Sequence, residues 1–564
     1  MDEKRGTTCM TKVLLIHPEI RAAEPPNHAP YGLLQLAALT DSLGMHVAVF
    51  DNNAFRLPID AVRQTVKEEQ WDVIGIGGLT TQYKAIKKIV PICREEHPAA
   101  VIVLGGGFLT EQPFDMMRWL PEADIGCIGE SIITWAEILE HLNDKNWGKI
   151  KGLVYREGKK IKLSTMRPLI EEYYYCEEHK QKHYTFDEAL KHDFQCPSCH
   201  QHLINNLDEE IPFPAYEFSP VETYLMYSQI PYSPESMMQG CRRLDVLSGY
   251  GCPWRCNFCS HNGASAYCQS KIYNTKVIGP EFRKHSPQYV ADLITHLRMT
   301  YGINFISFID ENLTVNRKWF FKFCEKLEET GLATLIHWGM VCHSRTVDAE
   351  LLHKAKDVGC TYISYGGETA SEKLLKQIGK GQTKEIMTAA IEATQSAGMN
   401  PIMSFIVGFP KTTIDDLSED CQFFIDNQVH VIPFFLQPYP GSELYSKYKD
   451  KIIEQWLTDV EKAFLTDPTP MKYAVIFERE TSQSQGLNVL SQSQLQKNLP
   501  MIKEKIRDIA LERWVSNLDD ATKFSVNLTD FNDIELAGLR YFMSTWDVER
   551  LKKFKKELEA KKHE

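Results

Sequence analysis

The feature that most constrains this chain is a double run of short Val- and Ile-rich segments separated by amphipathic stretches. In residues 11–142, "KVLLIH", "HVAVF", "DVIGIGG", "AVIVLGG" and "ADIGCIG" alternate with helix-like runs such as "YGLLQLAALTDSLG". Nearly continuous apolar strands alternating with helices predict a parallel sheet covered on both faces. A second series, from 243 to 446, has strand candidates "LDVLSGY", "INFISFI", "ATLIHWG", "CTYISYG", "PIMSFIV" and "HVIPFFL". Six units fall short of the eight of a closed (β/α) barrel, so a partial, open-sided barrel is expected.

At 564 residues the chain exceeds one ordinary core. The patterns divide it into an α/β Rossmann-like domain (1–150), a linker (151–242), the partial barrel (243–446) and a mostly helical C-terminal part (447–564). Residues 551–564, "LKKFKKELEAKKHE", read as a solvated terminal helix. No run approaches the roughly 18 apolar residues of a membrane helix. The charged start "MDEKRGTTCM" lacks a signal peptide's apolar centre. A cytoplasmic setting follows, in which 15 cysteines stay reduced as metal ligands or buried residues. A net charge of −12 argues against a nucleic-acid-binding body.

In open parallel sheets ligands bind beyond the carboxyl ends of the strands. Here those ends carry "GGLTTQ" (77–82), "GGGFLT" (105–110) and "GESI" (129–132), small residues that let a large flat ligand approach the backbone. Taken singly, each glycine is equally a tight-turn residue.

After the first strand of the second series comes "SGYGCPWRCNFCSHN" (248–262). Spacings of three and two residues let Cys252, Cys256 and Cys259 converge on one object. Iron–sulfur clusters are held by thiolates, usually four. Three ligands leave one iron open to a small molecule, whereas structural zinc fills four positions. Cys241 and Cys268 flank this loop and read as packed thiols.

Within the linker, residues 173–203 hold two metal knuckles, Cys176 with His179 and Cys196 with Cys199, with sixteen residues between them. This spacing predicts a tetrahedral zinc ribbon, with His200 or His202 as alternatives to His179. The "YYC…YTFDEAL…CPxC" pattern resembles zinc ribbons of archaeal transcription factors and points to an archaeal source. Such ribbons are usually staples that fold around their metal; docking of a macromolecule is the functional alternative, and rubredoxin-like iron a third. Trp254 and Tyr439 are candidate pocket aromatics, and Glu311 and Asn312 candidate contacts just past a strand end.

CxxxCxxC with Phe258 before its last cysteine resembles the cluster motif of radical S-adenosylmethionine (SAM) enzymes. "YGGE" (365–368) resembles the loop contacting the SAM amino group, and "SFIVGFP" (404–410) the motif beside the adenine. "LQPYPGSELY" (436–445) and "FIDENLTVNRKWF" (308–320) resemble signatures of relatives with a cobalamin-binding domain, and the N-terminal series resembles that domain. The resemblance spans roughly 11–446.

It implies that Cys252, Cys256 and Cys259 hold a [4Fe–4S] cluster, with SAM against Phe258, Gly366, Gly367, Glu368, Ser404, Val407 and Gln437. Cobalamin would meet Thr80, Thr81, Gln82, Gly106, Gly107, Phe108, Leu109, Gly129 and Glu130. The implied chemistry is SAM cleavage to a 5′-deoxyadenosyl radical, hydrogen abstraction from an unactivated carbon, and methylation from methylcobalamin, with an external one-electron donor. No catalytic side chain beyond the cluster and cofactors is assigned. The chain departs from one family pattern: it has no DxHxxG, and Phe108 stands where many relatives place histidine, so the sequence leaves the axial ligand of cobalt open. A protein or peptide substrate is expected, as in the archaeal enzyme that methylates methyl-coenzyme M reductase. Ring closure or oxidation of a lipid or tetrapyrrole is the alternative.

Overall fold

The computed structural model describes residues 10–20, 26, 28–180, 182–226, 240–260, 266–276, 282–436, 439–447 and 547–561. The N-terminal strands β1 (Lys12–His17), β2 (His46–Asp51), β3 (Val73–Gly77), β4 (Val101–Gly105) and β5 (Ile125–Cys127) form a parallel sheet. Antiparallel β6 (Leu153–Glu157) and β7 (Lys160–Leu163) extend it in the order β2-β1-β3-β4-β5-β6-β7, past the expected boundary at 150. Leu153 and Val154 explain the extension, since each is buried in one of the cores that cover the sheet's two faces. Strand β1 shows why these segments read as unbroken apolar runs. Val13 and Leu15 enter one core, Leu14 and Ile16 the other.

The linker contributes β8 (Tyr174–Tyr175), β9 (His183–Tyr184) and β10 (Ile204–Asn205), an antiparallel three-stranded ribbon in the order β10-β8-β9. Its aromatics Tyr174, Phe186 and Phe194 pack on one another, Phe186 edge to face on the other two, and merge with the barrel's core.

The second series contains β11 (Arg243–Val246), a two-stranded ladder of β12 (Gly249–Tyr250) with β13 (Arg283–Lys284), and then β14 (Phe305–Phe308), β15 (His337–Cys342), β16 (Cys360–Glu368), β17 (Asn400–Val407) and β18 (His430–Phe435). Strands β11-β14-β15-β16-β17-β18 form a parallel sheet that does not close, the partial barrel expected. "ATLIHWG" differs from expectation: Leu332–Thr334 is a 3-10 turn and the strand starts at His337, because Ile336 packs into the core before the ladder begins.

Most of 447–564 lies outside the described residues. Helix Val548–Lys561 buries Leu551, Phe554 and Leu558 against the barrel beside helix Ile414–Asp426. Its apolar residues recur at three and four positions, so one face is packed rather than solvated. Among the described residues no helix is long and apolar enough to cross a membrane.

Candidate active site and its metal and cofactor seats

The three cysteines follow β12 at the carboxyl end of the barrel. Cys256 is buried, Cys252 and Cys259 half-buried. Burial pushes the Cys256 thiol up to about 12; Lys380 opposes this, and the neighbouring charges of Cys259 and Cys252 reinforce it. The thiols therefore feel one another's charge, as a set converging on one cluster must. Asn257 fastens the loop: its N–H donates to Ile378 O (3.0 Å), its Nδ2 to Gln377 O (2.8 Å), and its carbonyl accepts from Leu444 N–H (2.9 Å). Trp254 stacks on His343 at 4.3 Å, and burial with the Lys380 charge lowers His343 to about 4, keeping that imidazole neutral.

Opposite the loop, Glu368 ends β16 in a left-handed conformation (φ 61°) at a bulge against β17. Its Oε1 accepts from Lys380 Nζ (2.5 Å) and its Oε2 from Ser404 Oγ (2.8 Å). Gln382 Nε2 donates to the carbonyls of Gly366 (3.0 Å) and Gly367 (2.9 Å). A Cβ on Gly366 would meet Lys380 Nζ at 2.1 Å, so glycine lets the ammonium approach. Burial by itself lowers Lys380, yet Glu368 and the thiols of Cys256 and Cys259 raise it above its ordinary value. Phe258 meets Phe409 edge to face at 5.5 Å. Gln437 and the side chain of Val407 lie outside the described residues. Cys241 packs on the barrel-floor group Phe305, Tyr362 and Ile402, and the side chain of Cys268 is outside the described set. Glu311 is half-buried; Asn312 is buried with its Oδ1 accepting from Thr314 N–H at 3.2 Å.

A cavity of about 430 Å³ opens at the carboxyl ends of β1, β3, β4 and β5. Strand order reverses between β1 and β3, the place where open α/β sheets take ligands. Leu15, Gly75, Val103, Cys127 and Trp135 make an apolar slot in its depth. Gly106 has φ 91° and an added Cβ would strike Gly78 O at 2.4 Å; Gly129 has φ 77° and would strike the Gln269 amide at 2.1 Å. Both glycines are thus required by close packing on protein, while the backbone of Gly105, Gly106, Gly107 and Gly129 lines the cavity above the apolar slot, a lining that fits a large flat cofactor with an aromatic tail.

Of the residues expected at cobalamin, Gln82, Gly106, Gly107, Gly129 and Glu130 line this cavity. Phe108 and Leu109 do not; their side chains enter the core because they begin the short helix Gly107–Glu111 packed on the sheet. Thr80 is buried and donates to Glu111 Oε2 (3.0 Å), while Thr81 Oγ1 is buried with no partner among the described residues. Burial pushes Glu111 up to about 8.

Sequence reading missed two imidazoles in the cavity wall. His17 Nδ1 pairs with Asp51 Oδ1 at 3.0 Å, and His28 Nδ1 with Asp245 Oδ2 at 2.5 Å. The position of His17 at the end of a strand was a signal; the partner of His28 lies in the barrel and gave none.

The N-terminal domain spans the open side of the barrel. On the β11 edge, Tyr31 Oη donates to Leu247 O (3.4 Å) and Gln35 Nε2 to Tyr250 Oη (3.2 Å). On the β18 side, Gln112 Nε2 donates to Tyr445 Oη (2.9 Å), and a Cβ on Gly441 would lie 2.9 Å from Glu111. Tyr250 lines the cavity and stands two residues from Cys252.

Residues 246–424 match the family model for the radical SAM superfamily, and 21–139 the B12 binding domain. The chain is a radical SAM enzyme with a B12-binding domain. This radical SAM enzyme is similar to an uncharacterized methyltransferase of Pyrococcus horikoshii, 26% identical over 440 residues that cover 77% of this chain and 82% of the relative. It is similar to the cytidylyl-2-hydroxyethylphosphonate methyltransferase of Streptomyces wedmorensis, 24% identical over 493 residues (82% and 85%). An anaerobic magnesium-protoporphyrin IX monomethyl ester cyclase of Cereibacter sphaeroides is 23% identical over 460 residues, 78% of this chain and 64% of that one. The fold resembles TsrM of Kitasatospora setae, a radical SAM methyltransferase (TM-score 0.57, 16% identity, 79% of this chain and 76% of that one). It also resembles OxsB, a cobalamin-dependent radical SAM enzyme (TM-score 0.57, 15% identity, 98% and 79%).

In the ribbon, the ligand atoms of Cys176, His179, Cys196 and Cys199 lie within 4.8 Å of one another. The Ser198 and then the Cys199 N–H draw the Cys196 thiol down to about 6, into the range where thiolate is available to a cation. His200 and His202 are exposed and outside this set.

Proposed function

We propose that the enzyme is a cobalamin-dependent radical SAM C-methyltransferase acting on an unactivated carbon. The adjacency of the two seats carries this reading, because one short segment, Tyr250 to Cys252, walls the cobalamin cavity and begins the cluster loop. Cys252, Cys256 and Cys259 would hold the cluster, and Gly366, Gly367, Glu368 and Ser404 would meet SAM. Gln82, Gly106, Gly107, Gly129 and Glu130 would wall the cobalamin. Once bound, these groups supply a 5′-deoxyadenosyl radical and a transferable methyl group. The chain itself orients them and keeps water out: the N-terminal domain covers the barrel's open side, and Lys380 balances the charge of Glu368 and the thiols.

Ile309, Val341 and Phe434 are exposed at or just past the carboxyl halves of β14, β15 and β18, an apolar lining suited to a hydrocarbon target. Zinc in the Cys176–His179–Cys196–Cys199 site, an external one-electron donor, a protein or peptide substrate and a cytoplasmic setting complete the reading. Similarity to the cyclase favours a second one, radical ring closure without methyl transfer. Anaerobic incubation of the reconstituted, reduced enzyme with methyl-labelled SAM and candidate substrates decides between them. Label in the product together with 5′-deoxyadenosine is expected; 5′-deoxyadenosine with an unlabelled, oxidised product would transfer the assignment to the second reading.

A further inference from the structure

The residues flanking the ribbon's metal site converge on one three-residue segment of the barrel mouth. Glu172 Oε2 accepts from Lys284 N–H (2.7 Å), and Asn205 Nδ2 donates to Lys284 O (3.1 Å). Asp208 Oδ1 accepts from Ser286 N–H and pairs with His285 Nδ1, both at 3.0 Å. Glu172 lies four residues before ligand Cys176, and Asn205 six after ligand Cys199. The two flanks are tied to each other by β8–β10 pairing and by Asn206, whose Oδ1 accepts from Tyr173 N–H at 2.8 Å.

The gripped segment in turn holds both cofactor seats. Gly249 and Tyr250 pair with Lys284 and Arg283, and His285 N–H donates to Ser248 O (3.0 Å). Lys284 Nζ donates to Ser248 Oγ (2.6 Å) and Asp310 Oδ1 (2.5 Å), both buried. Cys252 is four residues beyond Ser248. Arg283, 2% exposed, reaches Glu130 Oε2 at 2.9 Å, and Glu130 lines the cobalamin cavity.

We infer that the ribbon's metal positions the cluster loop and the cobalamin wall, with Glu172, Asn205 and Asp208 as the positioning residues. Strands of two residues do not hold register unaided, and ribbons of this type owe their folded state to the metal. Losing the metal frees the flanks, and with them the frame behind Ser248, Tyr250 and Glu130. This inference rests on the zinc and cobalamin assignments of the proposed function.

The test uses the full chain, reconstituted anaerobically with iron, sulfide and hydroxocobalamin. Zinc and iron per chain, the electron paramagnetic resonance of the reduced cluster, and cobalamin affinity by absorbance titration are measured beside the unfolding midpoint. Cys196→Ser/Cys199→Ser is expected to lose zinc, bind cobalamin roughly tenfold more weakly and retain less iron. Glu172→Gln/Asp208→Asn is expected to keep zinc and show the same cofactor losses with a broadened cluster signal, which general destabilisation does not produce. Lys318→Ala, which removes only the exposed pair between Lys318 on the barrel helix Arg317–Glu329 and the ribbon's Asp187, is expected to change neither. Unchanged iron and cobalamin binding in the zinc-free variant, or in the zinc-retaining double variant, overturns the inference. If the cysteine variant does not fold, the double variant decides alone. Wild-type protein without zinc overturns the metal assignment, and wild-type protein without cobalamin the functional reading; neither result resembles the variant pattern.

Discussion

Lys380 Nζ lies 2.5 Å from Glu368 Oε1, with both side chains 8% exposed and the cluster cysteines alongside. The pair comes from two ends of one excursion: Glu368 closes β16, and Lys380 follows the helix Glu372–Ile378. A buried ion pair adds little net stability, but removing one partner leaves an uncompensated charge. Lys380→Met is therefore expected to lower stability by about 3 kcal/mol and to reduce iron retention. Chemical denaturation of the apoprotein and iron analysis after reconstitution check both. Lys380→Arg keeps the charge and should recover most of the stability.

The His28–Asp245 pair crosses from the N-terminal domain to strand β11, and His28 lines the cavity proposed for cobalamin. Asp245→Asn removes the charge that orients the imidazole. Cobalamin affinity is expected to fall by about tenfold, the equivalent of one hydrogen bond to a charged group. Absorbance titration of the variant against wild type measures it, and wild-type affinity in the variant would reduce the pair to a simple contact between domains.

Gly106 combines a positive φ with a Cβ position already filled by Gly78 O. Gly106→Ala must move backbone rather than a side-chain tip. A loss of about 2 kcal/mol or more is expected, with cobalamin binding abolished because the cavity wall shifts. Denaturant unfolding and cobalt content report the two effects separately.

Glu111 gives the seam a pH dependence. Burial raises its folded-state value to about 8, above the ordinary range near 4.5, so the folded chain holds a proton that the unfolded chain has released. Its contribution is complete below about 4.5 and is lost as pH rises towards 8. Glu111→Gln should flatten the fall in thermal midpoint between about pH 4.5 and about 8, whereas a slope identical to wild type would show that Glu111 does not control it.

Much of this protein was legible from residue order alone. The unbroken apolar strands of β1 to β5, buried on both faces, and the six-unit second series dictated two parallel sheets, because period and burial are local properties of a segment. The three-cysteine loop and the convergence of Cys176, His179, Cys196 and Cys199 were legible for the same reason: such spacing is written within a few residues. Tertiary structure alone decided what those segments do to one another. Phe108 and Leu109 turned into the core, helix Val548–Lys561 found a packing partner, and Lys380, His28 and Lys284 acquired carboxylates 12, 217 and 26 positions away. A charge pair or a wall between domains depends on which surfaces meet after folding, and no periodicity in the chain encodes that meeting.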